Sequence, residues 1–277
     1  MANVTKLIKA DFIRVFKDKL MLITLIIAAG FSLITPLLYA VIFKSTESLS
    51  DMGIENLVSA KSQFFQSFSI GNNMGLIAPV LLSIILWKDF SFGTVRNKII
   101  AGNSRTSIFM SLFTVCSAAT LIVMFVHAFL TLGISLIFFD YQPTEFTPND
   151  FGYFMASLLF DVVLMLFISA MISWLCASSK SLGLVIVLYV AITFILVMVG
   201  SIVQVVSEVL KFTPGNEKTV EILDFVSRIN VGNSTMYVGA GTTYTLEDVL
   251  YILLPPVAGI AGFLGLGLIK FNKKDLK

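Results

Sequence analysis

Charge is scarce in this chain. Only 13% of its 277 residues are Asp, Glu, Lys or Arg, against about 25% in an ordinary soluble domain. Cysteine and histidine are scarcer still: Cys116, Cys176 and His127 are the whole supply. Both cysteines fall inside apolar runs and read as small buried hydrophobes rather than as a disulfide pair. A single histidine excludes any site built on two, so HExxH zinc chemistry is ruled out. No GxxxxGK[ST] occurs anywhere, so no P-loop binds a nucleotide on this chain. The net charge of +2 offers no bulk attraction to nucleic acid.

What is abundant is apolar surface. The chain is 57% hydrophobic with a mean hydropathy of +0.92, more than one water-soluble core hides. A helix needs about 20 apolar residues to cross about 30 Å of hydrocarbon. Six segments qualify, near 20–43, 68–87, 107–139, 151–176, 182–206 and 249–269. The first reads as a permanent anchor, too long for a signal-peptide core and without a small-residue cleavage site. The second, which opens on Asn72 and Asn73, is the one that best suits a re-entrant alternative. The expectation is an all-α integral membrane protein, one transmembrane domain over 1–277.

Loop charges orient it. With the amino terminus inside, the inner segments hold Lys6, Lys9, Arg14, Lys17 and Lys19, then Lys88, Arg96, Lys98 and Arg105, then Lys180, then Lys270, Lys273, Lys274 and Lys277. The outer segments hold only Lys44, Lys61, Lys211, Lys218 and Arg228, and the 140–150 loop has three acids and no base. The positive-inside rule then puts both termini in the cytoplasm.

Two further elements have helical spacing. In 3–19 the stripe Leu7, Ile8, Phe12, Val15 and Phe16 predicts an interfacial helix on the inner membrane surface, or simply a basic juxtamembrane cap. The outer segment 207–248 predicts short helices over "SEVLKF" and "EKTVEILDFVSRI", punctuated by Pro214-Gly215, then a Gly- and Ser/Thr-rich loop over 230–245. Thr245 with Asp248 predicts a capping box opening the last span.

Between spans two and three lies "KDFSFGTVRNKIIAGNSRTSIF", residues 88–109. Cations alternate there with the helically spaced Phe92, Val95, Ile99 and Ile100, and Gly93 and Gly102 bracket the element. A positive-inside loop needs only the charges; the apolar spacing asks for a protein partner. At this point the chain resembles the membrane permease subunit of a type-2 ATP-binding-cassette (ABC) exporter. Gly93, Thr94, Arg96 and Arg105 match the family's Gly-Thr, basic helix and small-polar-Arg turn, while Asp89 stands near where that family tends to have Glu. The order of elements extends the resemblance over essentially the whole chain. It implies that 89–102 is a coupling helix seated on an ATPase carried by a separate chain, with Asp89, Phe92, Gly93, Thr94, Val95, Arg96, Lys98 and Ile99 as the coupling residues. It implies two ATPase subunits holding ATP and Mg, a second permease copy, identical or related, and no cofactor or catalytic residue here. The expected setting is a bacterial plasma membrane, its lipids in contact and no nucleic acid.

Inside the spans, Asp161 is the one deep ionisable group besides His127. A carboxylate at the bilayer centre costs about 2.5–3.5 kcal/mol, so it should face protein or water. Depth arithmetic puts His127 and Asp161 at similar levels on neighbouring helices, and a hydrogen bond between them is expected, each finding its own partner being the alternative. Asn72, Asn73, Ser69, Ser201 and Gln204 either line an outer vestibule or satisfy helix ends. Ala258, Ala261, Gly262 and Gly265 make a small-residue ridge suited to close packing. Pro36, Pro79, Pro255 and Pro256 fall within spans and can kink them. The 25 phenylalanines suit an adaptable apolar pathway or simple lipid contact. Export of amphipathic peptides, peptide antibiotics, drugs or lipids fits best. An ion-coupled secondary transporter is the alternative, and a membrane-embedded enzyme is the weakest reading.

Overall fold

The computed structural model describes residues 4–45, 58–142, 145, 147–213, 215–233 and 245–273. These form ten helices: α1 (Val4–Phe16), α2 (Lys19–Ser45), α3 (Ala60–Gln66), α4 (Asn73–Ser91), α5 (Thr94–Ile100), α6 (Arg105–Phe138), α7 (Pro148–Ser178), α8 (Leu182–Lys211), α9 (Glu217–Ile229) and α10 (Leu246–Lys273). No strand occurs among the described residues. Six of the helices, α2, α4, α6, α7, α8 and α10, are long and apolar enough to cross a membrane, as expected of a multi-pass membrane protein. The loop expected over 230–245 and the tail beyond Lys273 lie largely outside the described residues, as does Pro214.

α7 and α4 sit within the bundle, packed on α6, while α8 and α10 stand at its margin with most of their apolar side chains outward. α1, the α4–α6 connection, the α7–α8 connection and the end of α10 gather at one end, called here the terminal face. The end of α6, the start of α7, the end of α8 and the start of α9 lie at the opposite, far face. Helix ends are closed locally. Thr147 with Asp150 and Thr245 with Asp248 form reciprocal caps on α7 and α10, the second as predicted.

The second span departs from its predicted bounds of 68–87. It begins at Asn73 and is preceded by α3, a seven-residue helix that enters the bundle from the far face. Its first backbone N–H groups, on Ala60 and Lys61, donate to the Asp140 and Tyr141 carbonyls. α3 then stops, and 67–72 turn before α4 resumes in the same direction. Unpaired backbone is costly when buried, and polar side chains relieve it here. Ser67 donates to the Gln63 carbonyl and Asn72 Nδ2 to the Gln66 carbonyl, while Asn72 Oδ1 accepts from Asn73 N.

The small-residue ridge is also corrected. Ala258, Ala261, Gly262 and Gly265 are exposed, with no atom near a Cβ built on either glycine. Gly259 and Gly267 make the close approaches instead: a Cβ there would overlap the rings of Phe167 on α7 and Phe109 on α6. Each residue turns a helix by about 100°, so choosing neighbouring positions chose the wrong face. Pro36, Pro79, Pro255 and Pro256 all lie inside helices, as expected.

Candidate functional sites at the terminal face and within the bundle

At the terminal face α5 is only seven residues long, shorter than the expected 89–102. α4 runs on to Ser91, which places Asp89 on the last turn of a span rather than on the connecting element. Gly93 (φ 71°) and Gly102 (φ 84°) take the left-handed backbone at either side of α5, which an L side chain adopts only with strain. Ser104 caps α6 by accepting from Ser107 N. Arg105 Nη1 donates to the carbonyls of Phe271 (3.1 Å) and Asn272 (2.8 Å), closing the end of α10.

The eight residues assigned to coupling divide. Val95 is buried in a small apolar cluster with Leu7, Ile108, Phe109, Leu112, Ala177 and Phe271, and Ile99 packs at its edge. Phe92 (76% exposed) and Arg96 point away from the protein, as do Asn97 and Ile100 (74% exposed). Gly93 and Thr94 are half-buried. Asp89 and Lys98 turn inward. Lys98 Nζ lies 2.6 Å from Asp11 Oδ1 and 3.6 Å from Asp89 Oδ2, and Arg14 Nη2 lies 2.6 Å from the same Asp89 oxygen. Ser111 Oγ donates to Asp11 Oδ2 (2.6 Å). Beside them Lys88 Nζ pairs with Asp18 Oδ2 at 2.6 Å. Burial would push the Asp18 carboxyl up, but the Lys88 ammonium and the Leu20 N–H bonded to it hold it below its ordinary value.

Asp11 and Asp89 are 2% and 1% exposed. Burying such charges is costly unless they are paired, and here Asp11, Asp18 and Asp89 stand against Arg14, Lys88 and Lys98 across α1, the turn after it, α4 and α5, with Asp89 Oδ1 lacking a hydrogen-bond partner among the described residues. α1 is therefore fastened to the bundle. Its covered face is Leu7, Asp11 and Val15, with Ile8 and Phe16 packed at its side; of the predicted apolar stripe only Phe12 is left exposed, stacked on Phe16 at 4.2 Å. Lys6, Lys9, Lys17 and Lys19 remain on the open side. Sequence reasoning missed Asp11, Arg14, Asp18 and Ser111. The spacing of Leu7, Asp11 and Val15, four residues apart along one face, was the available signal.

Within the bundle, the expected His127–Asp161 hydrogen bond is absent. His127 Nδ1 lies 2.8 Å from Ser32 Oγ and 3.1 Å from the Ala28 carbonyl, both on α2. His127 sits on the face of α6 turned to α2. Asp161 is 1% exposed, and neither carboxylate oxygen has a hydrogen-bond partner among the described residues. Asn72 satisfies helix ends around the α3–α4 turn, as one of its two expected roles had it. Asn73 is exposed, and Gln204 Oε1 accepts from Asn233 (3.4 Å), which also reaches Ser227.

At the far face a cavity of about 960 Å³ opens between the ends of α8, α9 and α10, lined by Lys211, Asp224, Phe225, Arg228, Glu247 and Tyr251 among others. Three of its charged residues are partnered. Ser207 donates to Asp224, Lys211 pairs with Glu208 (2.7 Å), and Arg228 pairs with Asp248 (2.8 Å). No group of three or more His, Cys, Asp or Glu among the described residues is placed to hold a metal ion. Comparison of the chain with protein-family models and with curated proteins finds no match.

Proposed function

We propose that this chain is the membrane permease subunit of an ATP-driven exporter of the type-2 ABC class, paired with a second permease and driven by two ATPase subunits on separate chains. Both termini and α5 face the cytoplasm of a bacterial cell, and the cargo is an amphipathic peptide, peptide antibiotic, drug or lipid. One observation carries the reading. Phe92, Arg96, Asn97 and Ile100 stand out from the terminal face, while the element beneath them is pinned by a buried ion network. A water-facing pair of large apolar side chains flanking a cation is the composition of a protein contact. Its rigid seat suits transmission of a push from a motor to α4 and α6.

The test uses the full chain co-expressed with the ABC ATPases of its source. The expected result is co-purification of one of them, with ATPase activity raised by the permease. Replacing Phe92 and Ile100 by Ser together should abolish both while leaving the fold intact. A chain that captures no ATPase, or whose double variant couples as well as the parent, removes the reading. Labelling of Cys introduced at Asn97 from outside intact cells would invert the topology and remove it equally. The unpartnered Asp161 favours the second reading, an ion-coupled secondary transporter, which predicts transport without ATP.

A further inference from the structure

Two side chains deep in the bundle are buried without partners and face the same place. Asp161 on α7 and Thr131 on α6 have no hydrogen bond to their side-chain oxygens among the described residues, and both are almost fully covered. Contacts between the helices fix their level. Phe154 of α7 touches Phe64 and Phe65 of α3. Asp161 is seven residues further along, nearly two full turns, so it shares that face and lies about 10 Å closer to the terminal face. This is the level of the break at 67–72. On the other side Ser135 Oγ donates to Gln63 Oε1 of α3 at 2.8 Å. Thr131, one turn below on the same face of α6, again meets the break. The bond between Ser169 and Thr120 supplies an independent register between α7 and α6. It sets Asp161 about level with Ala128, within about 5 Å along the axis of Thr131.

A cluster of phenyl rings spans this level and the turns next to it toward the far face. Phe64 lies 5.4 Å from Phe129 and 5.6 Å from Phe154, and Phe68 lies 5.5 Å from Phe125. An unpaired carboxylate beside aromatic faces is the chemistry that receives an organic cation: the acid supplies the charge and the rings supply apolar area and their negative faces. It does not suit a hard metal ion, which asks for several oxygen ligands.

We infer that Asp161, with Thr131 and the phenyl cluster over the broken second span, forms an intramembrane binding site for a lipophilic organic cation. The inference rests on the transporter reading for its role, since it names the charge of the cargo. α3, a short helix joined to α4 by the 67–72 turn, is the piece that yields to admit a ligand.

The experiment uses the purified full chain in lipid nanodiscs without any ATPase, so it succeeds or fails independently of motor coupling. The probe is radiolabelled tetraphenylphosphonium, with tetraphenylborate as the anion of the same shape. Saturable binding of the cation is expected, with the anion bound at least 10-fold more weakly. Asp161→Asn should weaken the cation at least 10-fold and leave the anion unchanged. Should Asp161→Asn fail to fold, the parent chain answers alone: a hydrophobic carbodiimide should modify Asp161, located by mass spectrometry, and tetraphenylphosphonium should protect it. Absence of saturable binding, equal binding of the anion, full displacement by 100 mM sodium, unchanged affinity in a folded Asp161→Asn chain, or labelling without protection would each overturn the site.

Discussion

The protein buries acids in two places and treats them oppositely. At the terminal face Asp11 and Asp89 are wrapped by Lys98, Arg14 and Ser111. Mid-bundle, Asp161 is as deeply covered and touches no donor among the described residues. A paired buried acid holds elements together, because removing its cation strands a charge. An unpaired one contributes nothing to the fold it interrupts, and its retention points to a ligand or a second state.

The sharpest way to break this contrast is to remove Lys98. Lys98→Met leaves Asp11 and Asp89 short of their shared cation and should lower stability by about 3–5 kcal/mol in a denaturant titration. Asp161→Leu should leave stability unchanged or raise it. Equal losses would erase the distinction. Next in size is the test of helix contact. Gly259→Val drives a side chain into Phe167 and should cost about 1–3 kcal/mol, whereas Gly262→Val on the open face should stay within about 0.5 kcal/mol. Comparable effects would mean that α10 is rotated from its described position.

The histidine supplies a subtler probe. His127→Ala and Ser32→Ala should each cost about 1 kcal/mol and combine for less than their sum, since they share one bond. His127→Ala with Asp161→Ala should be additive. The smallest effect concerns acid. Because Asp18 is held below its ordinary value of 3.8, its contribution is complete above that pH and fades as pH falls through the lowered value. Asp18→Asn should lower the neutral plateau slightly and flatten the acid limb of the stability profile, the variant and parent converging below the lowered value. An unchanged limb would show that the Lys88 pair is not formed in solution.

Much of this was legible in the amino-acid order. Continuous apolar runs announce five of the spans, because twenty greasy residues have one economical solution in lipid. Local cues reached the Thr245 cap and the glycines beside α5 for the same reason: each depends on its own few residues. The second span showed its irregularity only in part, through the polar opening at Asn72 and Asn73 that suited a re-entrant alternative; α3 before it was not foreseen. "SAKSQFFQSFSIGN" is too polar for lipid, and only the cover given by α6 and α7 makes its burial tolerable. Rotation was equally hidden. Spacing says how deep His127 lies but not which neighbour it faces, and the same ambiguity misled the choice of glycines on α10. The role of Asp11 was hidden for a related reason: its partners come from α5 and α6.

The grip of Arg105 on the last carbonyls of α10 has a mechanical corollary. It splices the beginning of the third span to the end of the sixth, sites more than 160 residues apart along the chain. α10 shows much of its length to its surroundings and would otherwise drift with them. Tethered at its tip, it must swing whenever the turn before α6 swings, so force applied under α5 is delivered to the outermost rod of the bundle as well as to the spans it directly joins.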